Sequence, residues 1–148
     1  MRLHIEKYTI RTIVFAIATG AMAHGALAAD LTVKLSGAKS AEGLLVAGVF
    51  NSKEAFPKEG QQIAAFRGKP VAGGGSVTFH DLPPGRYAIT AFHDENGNGK
   101  LDRDATGIPQ EGYGVSNDAR ELLSPPFWDK ASFELGSEAK TVTIKIEY

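Results

Sequence analysis

Apolar residues recur at every second position along most of this chain, in short stretches separated by turn formers. A side chain repeating with period two sits on one face of a pleated strand, whereas a packed helix needs a period near 3.6. In LTVKLS (31–36), Leu31, Val33 and Leu35 share a face opposite Thr32, Lys34 and Ser36. GLLVAGVF (43–50) is a continuous apolar run bounded by Gly43 and Asn51, too short and too β-branched for a helix, and so reads as a strand. IAAF (63–66), SVTF (76–79), RYAITAFH (86–93), ASFEL (131–135) and TVTIKIEY (141–148) complete a set of seven. Helical signal is confined to a single turn in SKEAFPKEG (52–60) and a short NDARELL segment (117–123) that ends before Pro125-Pro126. The pattern predicts an all-β fold, a single antiparallel β-sandwich of about seven strands of the immunoglobulin-like kind.

The amino terminus predicts export. Arg2, Lys7 and Arg11 precede an uncharged stretch from Ile13 to Ala29 that closes on Ala26-Leu27-Ala28, the small-x-small pattern of signal-peptide cleavage. Its strongly apolar part is shorter than the roughly 20 residues of a membrane span. Residues 1–28 are therefore expected to be a cleaved signal peptide and residues 29–148 one domain. No stable membrane span is expected in the mature form, whose place is the periplasm or the outside of a bacterium. The whole chain carries 16 Lys+Arg against 17 Asp+Glu. Losing Arg2, Lys7, Arg11 and Glu6 leaves 13 basic and 16 acidic residues, a net of −3. That balance offers no electrostatic basis for nucleic-acid binding. With no cysteine, disulfides, thiolate metal sites and cysteine nucleophiles are excluded. The residues name no specific partner; export leaves a cell-envelope protein or glycan as the class to expect.

The strand pattern breaks over 93–118, HDENGNGKLDRDATGIPQEGYGVSND, where a long loop is predicted. From Asp94 to Asp118 there are six carboxylates against Lys100 and Arg103. Counted from Asp94 as position one, Asn96 and Asn98 fall at three and five, Gly99 at six, Lys100 at seven and Asp102 at nine. That spacing matches a calcium loop, D-x-[DN]-x-[DN]-G, through nine places. Short oxygen-bearing side chains at alternate positions converge as the chain curls, the glycine allows the sharp turn, and position seven offers its backbone carbonyl. Position twelve is Ala105 where an EF-hand has a bidentate Glu, and flanking helices are missing. Asp104, Glu111 folding back, or a carbonyl can substitute. The expected metal set is Asp94, Asn96, Asn98, Lys100, Asp102 and Glu111, with Ca²⁺ as cofactor. The same Asn-Gly pairs also form turns with no ion.

Two other readings use neighbouring residues. A small metal-dependent hydrolase would centre on His93, Asp94 and Glu111. A carbohydrate- or peptide-binding module would use Tyr113 and Trp128, with Phe127, as a stacking platform. No catalytic residue is assigned in the favoured reading, a noncatalytic binding or structural module with a Ca²⁺-stabilised loop.

FHDLPPGRYAI (79–89), whose Pro83-Pro84-Gly85 predicts a tight turn, resembles the strand–turn–strand signature of transthyretin-like and Cna-B-like sandwiches. Together with HDENGNGKLD and GIPQEGYGVSNDAR, it resembles the bacterial exported family known as domain of unknown function 2141, over roughly Leu31 to Tyr148. The resemblance implies a small secreted β-sandwich and no particular activity. It weakens at ELLSPPFWDKASF.

Overall fold

A computed structural model describes residues 27–148. The predicted signal peptide lies outside the described residues except for its last two. Among the described residues there are eight strands: β1 (Ala29–Ser36), β2 (Leu44–Phe50), β3 (Ala64–Gly68), β4 (Gly74–Leu82), β5 (Gly85–Asp94), β6 (Tyr113–Val115), β7 (Phe133–Leu135) and β8 (Lys140–Lys145). They form a three-stranded sheet in the order β4-β1-β8 and a five-stranded sheet in the order β3-β2-β5-β6, with β7 also pairing with β5.

Alternation decides which face goes inward. Ala29, Leu31, Val33 and Leu35 of β1 are buried while Lys34 and Ser36 are exposed. They join Ile144 of β8 and, from the other sheet, Leu45, Ala47, Val49, Ile89 and Ala91 in one apolar cluster. Each fully buried Leu or Ile of this kind contributes about 1.5–3 kcal/mol relative to exposure. At Gly75 a Cβ would stand 3.0 Å from Cδ1 of Leu45, so the strand approaches the opposite sheet where it lacks a side chain. The five-stranded sheet also carries a second cluster on its other face, built from Phe50, Phe56, Ala88, Tyr113, Val115 and Trp128. That explains the unbroken apolar run of β2, which is buried from both sides.

Several expectations need correction. The fold is not purely antiparallel, because β8 runs parallel to β1, with Val33 opposite Val142; hydrophobic period carries no information on strand direction. An eighth strand, β6, lies inside the predicted loop, pairing Phe92 with Tyr113 and Thr90 with Val115. The 131–135 strand is present but shorter, as β7 (Phe133–Leu135), because Ala131 closes a helical turn, α1 (Trp128–Ala131). The 117–123 helix is instead a single 3-10 turn over Ser116–Asp118, because Asn117 and Asp118 take positive φ of 57° and 51°. Ala72 and Gly73, at φ 50° and 78°, form the two-residue bend that joins Val71 to Gly74. The single turn before Pro57 is present, with Phe56 N–H donating to Ser52 O at 3.2 Å. Among the described residues no helix is long and apolar enough to cross a membrane.

Candidate functional site: the loop after β5

Strand β5 ends at Asp94, whose side chain is fully buried at the base of the loop. Its Oδ1 accepts the Asn98 N–H at 3.1 Å and its Oδ2 the Gly99 N–H at 2.7 Å. The chain curls around this carboxylate because Gly97 and Gly99 adopt positive φ, 74° and 81°. Position six is thus a glycine for the reason the spacing predicts. Alternate side chains then chain together. Asn96 Oδ1 accepts the Asn98 N–H at 3.0 Å, and Asn98 Oδ1 accepts the Lys100 N–H at 2.8 Å. The Asn96 amide donates to Asp102 Oδ2 at 2.6 Å, and the Asn98 amide to both Asp102 oxygens at 2.9 and 3.0 Å. Lys100 enters this network only through its backbone. Leu101 turns back onto the second apolar cluster.

Glu111 does fold back. The register that pairs Phe92 with Tyr113 brings it beside Asp94 on the same face of the sheet. Only 6% exposed, it accepts the Glu95 N–H on Oε1 at 2.8 Å and the Asp102 N–H on Oε2 at 3.1 Å. One carboxylate therefore clamps positions two and nine of the loop. Asp104 is engaged elsewhere. Its Oδ1 accepts the Thr106 hydroxyl at 2.6 Å and the N–H groups of Thr106 and Ile108, closing a smaller turn over 104–108. The Thr106 hydroxyl, aided by those amides, holds the Asp104 carboxyl below the usual range.

A family model described as an uncharacterized protein conserved in bacteria (DUF2141) matches residues 33–143. The chain belongs to that family. The match takes in the loop, its clamp and strands of both sheets. No curated protein and no solved structure matches this DUF2141 chain.

The hydrolase constellation does not assemble in this DUF2141 protein. His93 and Asp94 are adjacent in a strand and so point to opposite faces. His93 goes into the interior, fully buried, where Nε2 donates to Glu42 O at 2.7 Å and Nδ1 takes the Tyr148 hydroxyl at 2.6 Å. Both ring nitrogens are occupied, and His93 ties the β1–β2 connection to the carboxyl terminus. Among the described residues no group of three His, Asp or Glu side chains is placed to hold a metal. The stacking platform fails for a similar reason. Trp128 is buried with its ring 5.8 Å from that of Phe56, and the Tyr113 hydroxyl donates to the Glu121 carbonyl. Burial and the Glu121 carboxylate push the Tyr113 hydroxyl pKa up, against the opposing charges of Arg120 and Arg103. Phe127 alone is exposed, beneath the Lys130 ammonium.

Two residues that sequence reading passed over have structural roles beside the site. Ser116, fully buried, accepts the Ile89 N–H at 2.9 Å and donates to Ala131 O at 2.7 Å. Asn117 donates to the carbonyls of Lys130, Ala131 and Ser132 and so caps the end of α1. The adjacent Ser116-Asn117 after Tyr113-Gly114-Val115 is the available signal, since both side chains readily bond backbone groups.

Proposed function

We propose that this DUF2141 member is an exported, noncatalytic β-sandwich module whose loop over 94–111 is stabilised by Ca²⁺. The shared apolar cluster between the two sheets supports the sandwich, and the signal-like amino terminus supports a periplasmic or extracellular location. The calcium reading is carried by one observation: the side chains of Asn96, Asn98 and Asp102 are drawn together at 2.6–3.0 Å above a fully buried Asp94. These are N–H···O bonds from the two amides to the Asp102 carboxylate, so the groups already converge, and their oxygens would suit a hard cation with bonds of about 2.3–2.6 Å once the amides turn.

The donor set fits the ion by chemistry. Asp94 and Glu111 each use one N–H per oxygen, and a carboxylate has about four acceptor sites, so further lone pairs remain. Asn96 and Asn98 would ligate by turning their amides end for end, giving up their bonds to Asp102 and those that their Oδ1 atoms accept from the Asn98 and Lys100 N–H groups. That exchange of existing hydrogen bonds for ion contacts, with no bidentate residue at position twelve, favours weak affinity, on the order of 10⁻⁴–10⁻³ M.

The test is a melting curve and a calorimetric titration in millimolar calcium against chelator. Tenfold excess over Kd is expected to add about 1.4 kcal/mol. Asp94→Ala abolishes the gain and Glu95→Ala preserves it. An unchanged melting temperature together with no heat of binding refutes the proposal.

A further inference from the structure

We propose a second site, independent of calcium, on the outer face of the five-stranded sheet: a cleft that binds a small organic anion, an apolar body carrying a carboxylate or phosphate group. The cleft has a volume of about 460 Å³, is floored by Phe50, Phe92 and Tyr113, and lies between the 57–62 segment and the 99–103 arm of the loop. That size lies within the range of small-molecule sites, roughly 300–1,000 Å³. Phe50 and Tyr113 are covered by Phe56, Trp128 and their neighbours, so the apolar surface left for an occupant is the half-buried Phe92 ring with Leu101 beside it.

Charge supplies the second half of the argument. Arg67, Lys100 and Arg103 all line the cleft, against one acid, Glu59. None of the three forms an ion pair among the described residues, a trait they share with Lys34, Lys58, Lys69 and Lys140; what sets them apart is that they converge on one cleft. The acids of the loop are not their partners: Asp94, Asp104 and Glu111 turn onto the loop's own amides, and Asp102 onto Asn96 and Asn98. Arg67 gives one N–H to Gly99 O at 3.2 Å and Arg103 one to Gly107 O at 2.9 Å. A guanidinium has five N–H groups, so most of each fork stays available. Three cations held around one hollow repel each other, and an anion seated among them relieves that repulsion while its body covers Phe92.

The probe is anilinonaphthalene sulfonate, titrated by fluorescence into the purified protein, with phenylnaphthylamine as the uncharged analogue. The sulfonate is expected to bind at least about tenfold more tightly than the amine. Arg67→Ala, Lys100→Ala and Arg103→Ala should each weaken the sulfonate about threefold and leave the amine unchanged, the scale of an exposed charge contact. Glu59→Gln should tighten the sulfonate about twofold by the same reasoning, a gain that a folding defect does not mimic. Lys34→Ala, on the other sheet, should change nothing. Naphthoate should displace the probe at concentrations where inorganic phosphate does not. Equal affinity for the two dyes, cation variants without effect, or displacement by phosphate as effective as by naphthoate overturns the proposal. These readouts do not depend on a calcium-induced melting shift, so either idea can fail alone.

Discussion

Asp94→Ala tests the claim that one buried carboxylate organises the whole loop. The wild-type side chain is fully inaccessible and accepts two amide hydrogen bonds, from Asn98 and Gly99. Hydrogen bonds to a charged acceptor contribute about 1.5–3 kcal/mol each, and removing the acceptor strands the donors. Asn98 is exposed, so water can take over its N–H, whereas Gly99 is half-buried under the Arg67 guanidinium. One bond lost nearly in full and one in part give about 3 kcal/mol. For a domain of this size that corresponds to a fall in Tm of roughly 10 °C. Asp94→Asn recovers little, because its amino group would face one of the two N–H donors. Glu95→Ala is the control. Its salt bridge to Lys39, at 2.8 Å, is partly solvated, and its other oxygen has no partner, so the loss should stay within about 0.5 kcal/mol. The assay is thermal and urea unfolding in chelator, followed by circular dichroism. An Asp94→Ala protein melting within about 1 °C of wild type, or no less stable than Glu95→Ala, would mean that the loop holds itself by other contacts.

Ser116→Ala should cost about 2 kcal/mol in urea unfolding, because it leaves the buried Ile89 N–H without its acceptor and the Ala131 carbonyl with only the longer bond from Asn117; a cost near zero would show that water replaces the hydroxyl. Asp104 has a depressed pKa in the folded protein, so its contribution to stability is present at neutral pH and fades as pH falls through the folded value. Thr106→Val removes the largest cause and should move the Asp104 midpoint up toward the ordinary carboxylate range, read from its carboxyl carbon shift by NMR; an unmoved midpoint would assign the depression to the backbone amides alone.

Much of this architecture was legible because period two is local. Leu31, Val33 and Leu35 announce a face whatever their partners turn out to be. The direction of β8 was not legible, since Val142 and Ile144 alternate identically in either orientation. Strand β6 was hidden because Tyr113-Gly114-Val115 is too short to display a period and its middle residue has no side chain. The loop was readable where short polar side chains bond amides two to five residues away, as Asp94, Asn96 and Asn98 do. Adjacency in sequence misled at His93. The same alternation that puts His93 with Tyr87, Ile89 and Ala91 separates it from Asp94, so parity should have outranked proximity.

The pairing of β1 with β8 sets a constraint on how this molecule comes into being. Leu31 lies opposite Lys140, so the first strand of the domain stays open along one side until nearly the entire polypeptide has emerged. Such distant pairing slows the search for the native state and leaves an unzipped edge that other chains can join. On the export proposed above, threading from the amino end would carry that seam bare until β8 arrives to seal it.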